Sequence, residues 1–428
     1  MAKLVTISNS LPRLDTDGNV IDCHSGMILA VNGTFFMYGE RYTNSTGFGP
    51  SPPQLFPKIV VYTSLDMSAW SYRGEVLQDW PTKPYGTFFT PWAVYNKATN
   101  TFVLWFNAYL HGCCSGDWGV ATSADGVHFN LQTTSMTGKY KVVDCNALFV
   151  DDDGGAFLLY TSEDQDHKVS IEGLAANYSA VVPGGNKGLF PDRYIEGAVL
   201  FKRGDTYYMS EGSCCCFCRG GAGVVVYKSK SLDGPWQRQP LDLNCDRTDA
   251  GDICGAYGDR DHDPIRVQAQ GIGLSLIPLA NGSTAYLWHG ERSVFPRRAW
   301  NGSPLTPPPS LLPFLRAGGY PLLSTTPLAQ MSARRATRTR ATFVSSTNTT
   351  RGQQNPRTRK HPKPKPYRPL NPTEQVKGQS FSYWIPLAFD DSTGDVLPFA
   401  PFVDSFTLDV AEGFDTAHLP GPGSVHQL

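Results

Sequence analysis

Short apolar runs recur along the chain, each closed by a tight polar turn and answered by a second run rich in aromatic and β-branched residues. This pattern predicts β-hairpins. The first hairpin is Gly26–Glu40, with Asn32-Gly33 at the turn, since both tolerate the positive φ that a two-residue hairpin loop demands. Further strands are predicted at Lys58–Thr63 and around Trp70–Tyr72. A second unit runs from Pro91 to Phe106 and continues with Trp118–Ser123, and a third runs from Ala147 to Tyr160 and continues with Lys168–Ile171. The fourth spans Tyr194–Ser213. Its strands are Ala198–Lys202 and Thr206–Ser210, its turn is Arg203-Gly204-Asp205, and Gly223–Ser229 and Trp236 follow. The fifth is Gly273–Trp288.

Units spaced by roughly 50–75 residues at one phase of a long period predict radial repetition. Each unit alone exposes an apolar face, and packing unit on unit around an axis buries it. The expected fold is therefore all-β, a five-bladed β-propeller, in preference to a β-sandwich. The fifth blade is interrupted. From Pro296 to Lys377 the pattern dissolves into Leu305-Thr-Pro-Pro-Pro-Ser310 and a basic run from Arg334 to Arg368 without an acidic residue. Such a stretch cannot bury enough apolar surface to order itself, so it reads as a disordered insertion. The competing reading is a polyanion-binding arm. Strand grammar resumes at Ser380–Phe389, turns at Asp390–Gly394, and closes with Phe402–Val410. The expected organisation is propeller over 1–295, insertion over 296–377, closing strands over 378–412 and a loose tail over 413–428.

Composition narrows the function classes. Of 428 residues only 18% are charged, and the net charge of -1 gives no overall pull toward nucleic acid or a membrane surface. No stretch approaches the ~20 continuous apolar residues of a membrane helix. The ten cysteines, even in number and clustered, favour disulfides in an oxidising compartment over cytosolic thiols. Sequons at Asn32, Asn44, Asn177, Asn281, Asn301 and Asn348 point the same way. The start, Met1–Ser8, lacks an apolar leader, so the expectation is a secreted glycoprotein whose leader is missing from this sequence. Cys214-Cys-Cys-Phe-Cys218 lacks the C-x₂-C spacing of structural zinc sites. Those cysteines are expected to pair with Cys113, Cys114, Cys245 or Cys254, and no metal is expected.

The starts of the innermost strands should surround one central pocket. The polar positions just before each hairpin are Asp22 and His24, then Phe89 and Thr90, Asp144, Glu196, and Gln268 with Gln270. Acids converging there suit glycoside cleavage, in which one carboxylic acid protonates the leaving oxygen and a second group activates water. Taken singly, each position reads equally well as a turn cap.

These residues resemble a known family. Leu14–Leu29, continued by Tyr38-Gly-Glu-Arg41, is similar to the opening of glycoside hydrolase family 43, in particular its exo-β-1,3-galactanase-like branch. Asp144, Leu148–Gly154 and Tyr160-Thr-Ser-Glu163 resemble its third blade. Glu196–Tyr208 resembles the stretch that carries the general acid, and Ala269-Gln270 with Tyr286–Arg292 resembles the fifth blade. The resemblance covers about residues 13–292 and 380–410. It implies inverting hydrolysis of a terminal galactosyl or related cell-wall glycoside. Glu196 would be the general acid, and Asp144 would orient or tune it. Gln270 would sit near the attacking water, acting through its imidic tautomer. His24, Asp22, Glu40, Glu291 and Trp288 would contact the sugar; Trp288 and Trp92 would do so by stacking, although a core tryptophan is the more common case.

Three departures stand out. Phe89-Thr-Pro91 replaces the branch's usual Glu-Arg-Pro, Asp22-Cys-His-Ser-Gly26 replaces Asn-Ala-His-Gly-Gly, and the loop after the acid hairpin is cysteine-rich. Two other classes therefore compete: a lectin-like propeller that binds sugar without turnover, and a nucleic-acid binder resting on the basic run alone. The expected enzyme is a monomer, takes an oligo- or polysaccharide, needs no cofactor, and engages neither nucleic acid nor membrane.

Overall fold

A computed structural model describes residues 2–42, 58–80, 87–109, 116–141, 143–214, 219–246, 253–254, 264–292 and 381–414. All belong to one unit formed by residues 1–305 and 370–428. The predicted insertion, Cys113 and Cys114, Cys215–Cys218 and the sequons at Asn44, Asn301 and Asn348 lie outside the described residues.

Five antiparallel sheets follow one another along the chain. Blade one comprises β2 (His24–Val31), β3 (Thr34–Arg41), β4 (Lys58–Ser64) and β5 (Ser71–Glu75). Blade two comprises β6 (Thr87–Asn96), β7 (Thr101–Tyr109), β8 (Gly116–Ser123) and β9 (Asn130–Met136). Blade three has β10 (Val143–Val150), β11 (Ala156–Ser162) and β12 (Lys168–Gly173). Blade four has β13 (Ile195–Arg203), β14 (Thr206–Ser213), β15 (Val224–Ser229) and β16 (Gln237–Arg238). Blade five has β17 (Gln270–Pro278), β18 (Thr284–Arg292) and β19 (Phe381–Pro386), so its third strand arrives from beyond the interruption. The inner strands β2, β6, β10, β13 and β17 contact one another in that order, and β17 returns to β2. The fold is a five-bladed β-propeller.

Apolar residues between neighbouring sheets explain the ring. Trp105 and Trp118 stack edge to face in blade two, and Trp118 reaches Tyr160 of blade three at 4.8 Å between centroids. Phe201 of blade four meets Tyr286 of blade five at 5.3 Å. A sheet pair adds to this. β1 (Ala2–Ser8), which the hydrophobic pattern did not announce, pairs antiparallel with β20 (Ser405–Ala411). Asn9 fastens the pair to blade five: its amide donates to Trp384 O at 2.8 Å and its Oδ1 accepts from Trp384 N at 3.0 Å.

Every inner strand carries the same irregularity. Three residues span what two span on the partner between His24 and Met27, Phe89 and Trp92, Asp144 and Ala147, and Glu196 and Val199. In blade five, two span what one spans between Gly271 and Gly273. Each is a one-residue β-bulge, which bends the strand and re-aims the side chain before it. In blade four the bulge needs glycine. Gly197 sits at φ +63, and a Cβ there would lie 2.0 Å from Gly271 O.

Candidate active site

The residues singled out by phase lie at one end of this ring, and they stitch it together. Between blades one and two, Thr90 N donates to Glu40 Oε1 at 2.6 Å, and Tyr42 donates its hydroxyl to the other carboxylate oxygen. Between blades two and three, the Tyr109 hydroxyl donates to Asp144. Between blades three and four, Thr161 Oγ1 donates to Ile195 O, beside Glu196, at 2.9 Å. Between blades four and five, Gln270 Nε2 donates to Glu196 Oε2 at 2.7 Å. Between blades five and one, Ser25 Oγ donates to Glu291 Oε2 at 2.6 Å.

His24 is buried between two acids. Nε2 lies 3.1 Å from Asp22 Oδ1 and Nδ1 lies 3.4 Å from Glu291 Oε1. Burial works against its charged form, but the hydrogen bonds and charges of Asp22 and Glu291 outweigh it, and the pKa rises to about 9. Asp22 also accepts from Tyr42 N at 2.9 Å, so it holds the chain as well as the imidazole.

Glu196 is only 7% exposed. Cys214 Sγ donates to its Oε1 at 3.0 Å while Gln270 holds Oε2. The strand pairing brings Glu196 opposite Gly212, where a Cβ would lie 2.8 Å from Glu196 O, and Tyr194 at φ +58 turns the chain into it. Two residues that sequence reasoning did not assign a role complete this corner. Glu163 opens the short 3-10 turn after β11. Its pKa is pushed up to about 7 by burial, then by the charges of Asp144, Glu196 and Asp164. Four carboxyl groups from blades three and four, Glu163, Asp144, Asp164 and Glu196, thus share one neighbourhood. His167 follows on the same loop, where burial lowers its pKa against the pull of Asp144 and Asp166. The signal for Glu163 was its place in Tyr160-Thr-Ser-Glu163. His167 gave none, because Asp164–His167 reads as an ordinary polar turn.

Other expectations are corrected. Trp288 is 1% exposed and packs on Phe399 at 4.7 Å, so no ring face is open to a sugar. Trp92 is also in the core, and Gln268 is exposed. Phe89 is buried against Tyr109, centroids 5.2 Å apart, in a small aromatic cluster with Tyr42. Cys245 and Cys254 face each other at disulfide distance, S–S 2.15 Å, rather than pairing with the rim loop. Asp242 organises that corner by accepting from Val224 N, Asn244 N and Cys254 N.

The fold has solved counterparts. An exo-β-1,3-galactanase from Clostridium thermocellum superposes with TM-score 0.61 at 19% identity, over 96% of this chain and 68% of that one. A family 43 β-1,3-galactosidase with galactodeoxynojirimycin gives 0.58 at 18% identity, over 93% and 100%. An exo-β-1,3-galactanase from Phanerochaete chrysosporium, with β-1,3-galactotriose, gives 0.52 at 21% identity, over 68% and 61%. No curated protein sequence matches the chain. The family model described as glycosyl hydrolases family 43 matches residues 27–253, more than half of the 428 residues. With the propeller, its bulged inner strands and the carboxyl cluster at their mouth, this match makes the chain a member of glycosyl hydrolases family 43 and a glycosidase.

Proposed function

We propose that the enzyme removes a terminal galactosyl residue from a β-1,3-galactan-like chain with inversion. Glu196 is the proton donor in this reading. The observation that carries it is the setting of Glu196: nearly buried, contacted on both oxygens, and close to two further carboxyl groups, Asp144 and Glu163. Burial and the neighbouring carboxyl groups favour the protonated acid, against the hydrogen bonds that Cys214 and Gln270 donate to its oxygens, and a general acid holds that proton until the leaving oxygen takes it. Asp144, held by Tyr109, orients or tunes the acid. Gln270 reaches Glu196 directly and is the group nearest to hand for positioning water. His24, charged between Asp22 and Glu291, is the blade-one group that meets the sugar hydroxyls in this reading, whereas Glu40 is fully buried and holds Thr90 and Tyr42 instead of the sugar.

The galactan preference is supported by the similar proteins named above, two exo-β-1,3-galactanases and one β-1,3-galactosidase. Exposed sequons at Asn32, Asn177 and Asn281 and the Cys245–Cys254 pair support secretion. The lectin-like alternative draws on one observation, the buried phenylalanine ring at position 89 where the branch usually carries a carboxylate.

Sugar release from β-1,3-galactan, arabinogalactan, arabinan, xylan and aryl glycosides, with NMR of the anomer first formed, decides between them. Galactose released with inverted configuration is the expected result. Binding to one polymer without release from any would establish the lectin-like reading instead.

A further inference from the structure

We propose that His167, Glu196 and Cys214 form a binding site for one thiophilic divalent cation of the zinc or cadmium class. Its occupation arrests hydrolysis, because the metal takes the proton donor as a ligand. One nitrogen of His167, one carboxylate oxygen of Glu196 and Cys214 Sγ all lie within 4.8 Å of one another. Zinc bonds to such donors are about 2.0–2.3 Å long, so ligands on one tetrahedral ion stand roughly 3.3–3.8 Å apart. Cys214 Sγ and Glu196 Oε1 are already closer than that, at 3.0 Å, and a modest adjustment of the imidazole completes the set.

The backbone holds the three donors to one another. Ile195 N donates to His167 O at 2.9 Å, and Tyr194 N donates to Asp166 O at 3.1 Å. Cys214 N donates to Tyr194 O, and Ile195 pairs with Ser213 across the hairpin. The His167 loop and both strand ends of the Glu196 hairpin are therefore one piece. That piece is also strained: Asp166, His167 and Tyr194 have φ of +58, +53 and +58. Such backbone persists in non-glycine residues where the surroundings over-determine it, commonly at functional sites. Here it lays the His167 ring on Tyr194, 5.8 Å between centroids and 12° from parallel. His167 Nδ1 is buried and has no hydrogen-bond partner among the described residues.

The donor set names the ion. Thiolate and imidazole select zinc-like cations, whereas calcium and magnesium prefer an all-oxygen shell. On binding, Cys214 and Glu196 each give a proton to solvent, and Cys214 forms the metal–sulfur bond. Glu196 Oε1 becomes a ligand, Gln270 stays on Oε2, and the fourth position is left to water. The rim-loop spacing that argues against a structural zinc finger is irrelevant here, since only one cysteine of that loop is used.

Binding stands independently of the proposed function; the arrest rests on Glu196 being the proton donor. The test uses the full chain stripped of metal. Cadmium chloride is titrated while the ultraviolet charge-transfer absorption of the cadmium–thiolate bond is followed, and zinc chloride is titrated calorimetrically. The expected result is one equivalent bound, with affinity reduced about 10-fold or more in both Cys214→Ser and His167→Ala. Thermal unfolding checks each variant, and Cys214→Ala and His167→Asn stand in for any that fails to fold. Unchanged affinity and absorption in the folded variants would overturn the site and assign the metal to other cysteines. Galactose release by the wild type should fall with the same midpoint as zinc binding, recover with chelator, and ignore calcium. Zinc bound at this site with undiminished release would overturn the arrest and the role of Glu196 together. Binding that follows the variants in a protein inert on every sugar would uphold the site and remove only the proposed function.

Discussion

Gln270 donates its amide N–H to Glu196 at 2.7 Å, so the proposed donor and its water-positioning partner touch. In inverting glycosidases the two catalytic carboxyl groups stand about 6.5–9.5 Å apart, with room for a water, and the proposed role of Gln270 asks for similar room. Under the proposed roles, this contact opens as the glycosidic oxygen takes Gln270's place on Glu196. Glu196→Gln removes the proton and keeps the shape. Its turnover of β-1,3-galactan should fall by about 10²–10⁴-fold, while calorimetry finds galacto-oligosaccharide binding nearly intact. Turnover that survives this substitution would sink the assignment.

Gly197→Ala should disable the site from behind. Its Cβ would meet Gly271 O at 2.0 Å, and the residue sits at φ +63. Overpacking of this kind costs about 1–3 kcal/mol, and here it also pushes β13 away from β17, the strands that carry Glu196 and Gln270. A lowered urea midpoint together with a lower kcat is expected. A destabilised variant with wild-type kcat would mean that the two strands need not be held so close.

Glu163 gives a pH signature. Its folded pKa of about 7 lies above the usual carboxylate value of 4.5, through burial and the charges of Asp144 and Glu196. Below pH 4.5 both states hold the proton and nothing is lost. As pH rises through 7 the unfolded chain ionises first, and native stability declines. Glu163→Gln should flatten the melting temperature between pH 4.5 and 7 relative to wild type. Parallel curves would show that the carboxyl ionises as readily in the fold as outside it.

His24 contributes stability in a different window. With its pKa raised from 6.5 to about 9 by Asp22 and Glu291, its contribution is complete below pH 6.5 and lost as pH climbs through 9. Denaturation followed from pH 6 to pH 9.5 should show this decline in the wild type and a shallower one in His24→Gln. The expected loss at pH 6 exceeds that at pH 9.5, and equal losses would contradict the charged imidazole.

Asn9→Ala should loosen the joint between the β1–β20 pair and blade five. It removes the partners of Trp384 N, Trp384 O and Val403 O together. A cost of about 1–3 kcal/mol for each buried group left unpaired is expected, read as a lower denaturation midpoint. Hydrogen exchange should localise the change to β1, β19 and β20.

Much of this was legible in the chain because hairpins are local. Asn32-Gly33 takes the positive φ values its turn requires, and the returning strand at Phe381–Pro386 pairs with β18 although it lies far along the sequence. What escaped is non-local. β1 reads as an unremarkable start until β20 supplies its partner. The pairing of Cys245 with Cys254 follows from a corner that Asp242 folds, which no spacing announces. Trp288 misled because aromatic residues at a blade's mouth and in its core carry the same pattern; only the depth of Phe399 beneath it separates them. Glu163 and His167 enter through a loop whose left-handed backbone is imposed by contacts with Tyr194 and Ile195.

Without a bulge, any rearrangement at a strand's start would propagate, since a one-residue slip turns every following side chain to the opposite face. The extra residue on each inner strand insulates the mouth from the interior. His24, Phe89, Asp144 and Glu196 stand immediately before it, and Gln270 stands one residue earlier. The propeller can thus host a phenylalanine at one of these stations and carboxylates at others with the same hydrophobic register behind them. Five interchangeable sockets around one axis make the chemistry of the mouth a property that can be rewritten one blade at a time.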